Sequence, residues 1–175
     1  MTRRLMPLAT ALLALAATPA FAEVKSATPG GFEVGGSVAI AASPARVWTV
    51  LTAPDAWWSR DHRWFKGSTL TLDLTPGGCW CEQAADGRVS RHLETALVEP
   101  GSKLVLRGGL GPLQGQGASG GLTFTVKAEG EGSVLTWAYI VGGYTPGGLE
   151  AWAAPVDGVL SAQLVSLKAR AEAVD

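Results

Sequence analysis

Cys79-Trp80-Cys81 is the densest concentration of reactive side chains in the sequence. Residues two apart on a strand share a face, so both sulfurs point one way and Trp80 the other. Three chemistries are open to the pair. It can form a redox-active disulfide, strained because extended neighbours two apart sit near the outer limit of disulfide separation. It can bind a soft metal if His62 or His92 converges on it, but such a site normally takes four ligands and these are the only two His. Or both are small apolar residues buried on the cavity side of a strand, the reading that the shortage of ligands favours. The two imidazoles open a second chemistry. A general base needs a His held by an acceptor, and Asp61, Glu82 and Glu94 are the carboxylates close enough in sequence to serve. Period-two alternation puts Ser90, His92 and Glu94 on one face of a strand. The catalytic candidates are therefore His62, His92 and Glu82. The alternatives are a surface-loop His62 and a satisfied sheet His92.

The seven Trp supply apolar walls. Trp57, Trp58 and Trp64 cluster around one short segment, Trp137 and Tyr139 share a face of a late strand, and Trp152 opens the last helical segment. Such walls with a few polar handles hold apolar, often ring-bearing molecules, although large residues can equally fill a core. The expected ligand-binding set is Trp57, Trp58, Trp64, Cys79, Cys81, His92, Gln114, Trp137, Tyr139 and Trp152. The Gly-rich run at 108–117 is not a phosphate loop, since it lacks the G-x-G-x-x-G spacing, a Gly-Lys-Ser/Thr and a following helix. It reads instead as a mobile loop at a cavity entrance, with Gln114 as its polar contact. Asp157 and Gln163, on the last helix, read as solvated or capping residues. No cofactor and no metal are expected.

The elements that must position these residues follow from periodicity and punctuation. A strand at 32–40 carries Gly35-Gly36, a candidate bulge or bend. Ser43-Pro44 is an N-cap followed by Pro at the first helical position, opening a short helix through Val47, Trp48, Val50 and Leu51. Thr52 and Asp55, three apart, suggest a capping box for one further turn at 56–58. Strands follow at 69–74, 79–83, 89–98, 103–107, 122–127 and 134–141, separated by Gly, Pro and Asp turns. Apolar residues every three or four from Leu149 to Leu167 mark the closing helix. Pro155 is expected to split it, leaving the main helix at 156–173. The fold class is α+β: a curved antiparallel sheet of about seven strands wrapped around a long C-terminal helix, with two short helices after the first strand.

Composition bounds the function. The 175 residues are 47% hydrophobic and 17% charged, with net charge -1 and 23 Gly. That excludes a disordered chain and offers no basic run for nucleic acid. Asn is absent, so there is no N-glycosylation acceptor. Arg3-Arg4, a Leu/Ala-rich run and Ala20-Phe21-Ala22 form a secretory signal peptide at 1–22, cleaved after Ala22. The remainder, 23–175, is expected to be one domain with no membrane span, periplasmic or secreted.

Several motifs, taken in order, resemble the SRPBCC or START-like superfamily. Val38 to Ala42 followed by Ser43-Pro44-Ala45-Arg46-Val47-Trp48 is similar to its first strand and "P-x-x-V-W" helix start. Trp57-Trp58 matches its frequent "WW". Gly77-Gly78 before Glu82 resembles its "GG-x-x-x-E" hairpin, and Pro100-Gly101-Ser102-Lys103-Leu104 its "PG-x-x-L" turn. Polyketide cyclase-like proteins and Aha-type activators of heat-shock-protein ATPase are the most similar subgroups. The resemblance implies a helix-grip fold over essentially the whole exported chain, and it constrains function weakly because this fold hosts many activities. A cytosolic activator is out of place behind a signal peptide. The expected function is binding of a small hydrophobic or aromatic molecule between sheet and C-terminal helix. The alternatives are a cyclase or hydrolase using a pocket His with a carboxylate, and a redox or metal role of Cys79 and Cys81.

Overall fold

A computed structural model describes residues 23–173 of the chain. The expected signal peptide lies outside the described residues. Within them, strands β1 (Glu23–Thr28) and β2 (Gly31–Ile40) lead into helix α1 (Pro44–Leu51). Two 3-10 turns follow, Pro54–Ala56 and Arg60–His62. Strands β3 (Thr69–Leu72), β4 (Cys79–Gln83), β5 (Val89–Glu99) and β6 (Lys103–Gly108) come next. A third 3-10 turn, Gly111–Gly115, precedes β7 (Gly117–Glu129), β8 (Gly132–Tyr144) and helix α2 (Glu150–Glu172). The sheet is antiparallel with order β1-β2-β8-β7-β6-β5-β4-β3. This is the expected α+β helix-grip architecture with eight strands rather than about seven. No helix of the described residues is long and apolar enough to cross a membrane.

The additional strand is β1, and its residues are exposed throughout. It has no apolar alternation to betray it. It is held by backbone pairing to β2, with a register shift between Val24 and Ser26. The expected bulge at Gly35-Gly36 is absent: β2 pairs with β8 in unbroken register from Gly31 to Ile40. Gly35 serves close approach instead, since a Cβ there would sit 2.7 Å from the Trp137 carbonyl oxygen.

Alternation sorts the sheet cleanly where it is regular. Leu104 and Leu106 of β6, Leu122, Phe124 and Val126 of β7, and Leu135, Trp137, Tyr139 and Val141 of β8 all face the helix and are buried. Helix α2 answers with Ala153, Leu160, Leu164, Leu167 and Ala171. Each such Leu contributes about 1.5–3 kcal/mol by leaving water. Helix α2 is continuous through Pro155, contrary to the expected split. Pro155 lies near the helix start, so its missing N–H removes one hydrogen bond of the ladder rather than breaking a long helix in two. The Arg46 guanidinium, on α1, donates to the carbonyls of Arg170, Ala171 and Ala173 and so caps the C-terminus of α2. The Ser43 hydroxyl accepts from the Arg46 N–H as the expected N-cap of α1. The capping box does not form. Thr52 Oγ1 turns back to the Trp48 carbonyl at 2.9 Å, and Asp55 points away to Leu70 and Arg63.

Asp157 corrects another expectation. It is half-buried against the start of β1, its Oδ1 is buried without a hydrogen-bond partner, and burial followed by the nearby Glu23 carboxylate pushes its pKa up. A carboxyl whose folded pKa is raised costs stability once the pH climbs above its unfolded value, near 3.8. Asp157→Asn is therefore expected to stabilise the protein by about 1 kcal/mol at pH 7. Thermal melts of the two proteins at pH 7 and pH 3 check this, because the gain should vanish at pH 3, where the native carboxyl is also neutral.

Candidate functional site

Residues 53–68, between α1 and β3, contain only two 3-10 turns, and buried polar side chains hold them in place. Glu82 of β4 is fully buried. Its Oε1 accepts from the Phe65 N–H at 2.7 Å and the Ser68 hydroxyl at 2.7 Å. Its Oε2 accepts from the Trp64 N–H at 3.0 Å and meets His92 Nε2 at 2.9 Å. The Arg63 side chain, 2% exposed, donates to Asp55 Oδ1 at 2.6 Å and to the carbonyls of Ser68, Trp58 and Asp55. Asp55 also accepts from the Leu70 N–H at 3.0 Å, which together with Arg63 outweighs desolvation and holds its pKa low. Gln163 of α2 is 1% exposed. Its oxygen accepts from the Ser59 N–H at 2.7 Å, and its amide donates to His62 Nδ1 at 2.7 Å. The solvated role expected of Gln163 is thus replaced by a buried bridge between α2 and this segment.

Behind the segment three indoles pack together. Trp58 and Trp80 meet edge-to-face with centroids 5.1 Å apart, and Trp57 lies 5.6 Å from Trp58 and 6.1 Å from Trp80. In front of it opens a predominantly apolar cavity of about 310 Å³. Trp58, Asp61, His62, Arg63 and Trp64 form one wall. Leu110 to Leu113 form a second, and Trp152, Pro155, Val156, Val159 and Leu160 of α2 form the third. His92 supplies a buried polar point among them. Half-exposed Trp64 stands at the rim. The volume lies at the small end of the range for ligand sites, roughly 300–1,000 Å³. A second depression, about 460 Å³, runs along the outer face beside Lys25, Thr123, Thr125 and Thr136. Trp137 is its one aromatic lining residue, and no histidine lines it.

The structure therefore brings together Trp58, His62, Trp64, His92 and Trp152 at one cavity. Gln114 stands beside it, bonded to His92 at 3.2 Å, and Glu82 stands behind it. The remaining expected ligand residues lie elsewhere. Trp57 and Trp137 are core. Tyr139 is fully buried; its hydroxyl donates to the Gly108 carbonyl at 2.7 Å and accepts from the Leu110 N–H at 3.0 Å. Burial, only partly offset by that N–H, pushes its pKa up to about 12, so it stays a neutral pin for the 108–115 segment. That segment is a 3-10 turn rather than an open loop. It folds so closely over Gly109 that a Cβ there would lie 2.8 Å from the Leu113 carbonyl.

Cys79 and Cys81 are disulfide-bonded and only partly buried. The placement on the cavity side is corrected: buried Trp80 and Glu82 take the inner face of β4, so the sulfurs lie on the outer one. Their Cα atoms are 5.2 Å apart, opposite a register shift in β5. Among the described residues no group of three or more His, Cys, Asp or Glu is placed to hold a metal.

The same register shift corrects the face of Glu94. Trp80 pairs with Leu93 and Cys81 with Arg91, leaving His92 as an extra residue. The bulge turns His92 and Leu93 both inward, so Glu94 emerges on the outside, paired with Arg91 at 3.0 Å. Glu82, not Glu94 or Asp61, is the carboxylate of the dyad. Burial alone pushes Glu82 up, but the bonds from Ser68, Phe65, Trp64 and His92 outweigh it and hold its pKa below the usual range. Burial pushes His92 down despite the attraction of Glu82. The dyad is an ionised carboxylate with a neutral imidazole.

The aliphatic wall of α2 carries no ligand-binding signal in the sequence, because its apolar stripe reads as core. Arg63 and Gln163 carried no signal of burial, which only the three-dimensional convergence of their partners reveals.

Residues 32–172 match the family model described as polyketide cyclase / dehydrase and lipid transport. Solved structures similar to the chain include CalU16 from Micromonospora echinospora, at 18% identity and TM-score 0.56 over 89% of this chain and 86% of that one. An uncharacterized protein from Rhizobium leguminosarum is similar at 19% identity and TM-score 0.60 over 89% and 99%. A protein from Mesorhizobium loti follows at 19% and 0.58 over 82% and 98%. Likeness at this identity is a likeness of fold. A comparison with curated proteins finds no match.

Proposed function

This chain belongs to the polyketide cyclase / dehydrase and lipid transport family, and from that premise we propose that it is an exported protein that binds a small hydrophobic, ring-bearing molecule in the cavity between α2 and residues 58–64. One observation carries the reading. The cavity is walled mainly by aromatic and aliphatic side chains, yet it contains a buried, hydrogen-bonded imidazole. Apolar walls supply affinity by desolvation, and a few polar points, with His92 the buried one, fix orientation. Export is supported by the sequence pattern at 1–22, and a disulfide at Cys79–Cys81 suits an oxidising compartment.

The test is occlusion. Val156 lines the cavity from α2 and is only partly buried. Val156→Trp should fill the space and weaken binding of the fluorescent probe N-phenyl-1-naphthylamine at least ten-fold, with the circular dichroism spectrum retained. Unchanged binding by a folded Val156→Trp protein would falsify the site.

A second reading, acid–base catalysis of the cyclase or hydrolase type, is favoured by the Glu82–His92 pair, a carboxylate that orients a neutral imidazole at the cavity. In that reading His92 takes a proton at Nδ1 while Glu82 stays ionised and fixes the ring. Conversion of a bound cyclisable substrate, abolished in His92→Phe, would distinguish an enzyme from a binder.

A further inference from the structure

We propose that the ligand of this cavity carries a hydroxyl group, phenolic or enolic, which donates its hydrogen bond to His92 Nδ1 and displaces the side chain of Gln114. The proposal rests on the binding function inferred above and names the chemistry that the site selects.

The argument begins with Glu82. Its carboxylate accepts two backbone N–H groups and a hydroxyl before His92 is counted. Donors converge on both oxygens, two of them backbone N–H groups that can only donate, and they hold the Glu82 pKa low, so it stands in the ionised, acceptor-only form. His92 Nε2, 2.9 Å away, must therefore carry the proton. In a neutral imidazole the other nitrogen then has a lone pair and no proton. Nδ1 is thus an obligate acceptor, and its basicity is raised by the carboxylate behind the ring.

What now meets that lone pair is a replaceable group. The Gln114 amide donates to Nδ1 at 3.2 Å, the long end of hydrogen-bond geometry. Gln114 itself is exposed, on the 3-10 turn at the cavity mouth. Its oxygen accepts from the Ser90 hydroxyl at 3.0 Å, a bond that water can replace. Hydrogen bonds from hydroxyl donors are shorter than those from amides, and an acidic phenol or enol facing a carboxylate-backed imidazole makes a strong one. Ketones, ethers and carboxylates bring only lone pairs to this point and are disfavoured. A site built around a buried acceptor discriminates in favour of the analogue that satisfies it.

The experiment compares 2-naphthol with 2-methylnaphthalene, which differ at one substituent of similar size, by equilibrium dialysis against the purified protein. We expect 2-naphthol to bind about ten-fold more tightly. In Gln114→Ala, whose altered side chain is exposed, that preference should widen because the competing amide is gone. Long-range proton–nitrogen spectra should show His92 Nδ1 shifting on addition of 2-naphthol and not of 2-methylnaphthalene, with Nε2 protonated throughout. Equal binding of the two probes in both proteins overturns the hydroxyl preference and leaves the cavity function standing. A preference that persists without any shift at Nδ1 overturns the role of His92. If neither probe binds, the binding function itself falls.

Discussion

Glu82→Gln is expected to destabilise the protein by about 2–3 kcal/mol, the cost of leaving buried donors without acceptors. The two carboxylate oxygens receive two backbone N–H groups, one hydroxyl and one imidazole N–H. An amide offers one acceptor oxygen and one donor nitrogen. With the nitrogen at the Oε1 position, it faces the Phe65 N–H, although the Ser68 hydroxyl can rotate to accept from it. With the nitrogen at the Oε2 position, it faces the Trp64 N–H. Either way one backbone N–H is orphaned in a site with no exposure to water. The melting temperature should fall by roughly 4–12 °C for a domain of this size. Glu82→Ala, which removes all four bonds, should cost more.

The same substitution should alter the pH dependence. The Glu82 pKa is lowered by folding, so its contribution is fully present above its ordinary value of 4.5 and is lost as the pH falls through the depressed value. His92 acts in the same sense. Its folded pKa lies below 6.5, so between the two values the unfolded chain binds the proton better, and stability is lost as pH falls. Native protein should therefore weaken on acidification from about pH 6.5 downward, and the gap to Glu82→Gln should narrow below pH 4.5. Thermal melts across pH 3–8 measure both slopes. A gap that stays constant across that range would show that Glu82 is not held as a carboxylate.

The residues that make this site were legible in the sequence to different degrees, for reasons that lie in the forces involved. Trp58, Trp64 and Trp152 stand out as large aromatics beside chain reversals, although the same signal also picks out Trp57, which fills core. The strands β4 to β8 were legible because one face is buried and the other is not. β1 was invisible because both of its faces meet water and only its backbone is paired. Period-two counting failed at His92 because a bulge changes parity midway along β5, and alternation cannot register a residue that has no partner. Glu82, a candidate from the sequence, is the dyad's carboxylate, whereas the bulge carries Glu94 from the face that counting gave it to the outer one. The wall formed by Val156, Val159 and Leu160 was hidden in plain view. The same stripe that lines the cavity continues into Leu164 and Leu167 as ordinary core.

Arg63→Ala is expected to cost about 3 kcal/mol, at the low end for removing one partner of a buried ion pair because Asp55 is 42% exposed. The loss spreads beyond the pair. The carbonyls of Trp58 and Ser68 lose their donor, and these residues bracket the wall that carries His62 and Trp64. Lys is a poor replacement, since an ammonium cannot reach partners that the planar guanidinium contacts through two separate nitrogens. Arg63→Lys should recover less than half of the loss. Arg63 holds this segment from within and Glu82 holds it from β4, both reaching Ser68, so their effects should not add. Once residues 55–68 are loosened by one substitution, the second has fewer intact contacts left to break. The double variant should fall short of the sum of the singles by 0.5 kcal/mol or more, on the order seen for residues in one network. Urea denaturation of the four proteins completes the cycle. Additivity would mean that the two side chains anchor independent structures, and the cavity wall would then not be the single unit from which its binding chemistry is built.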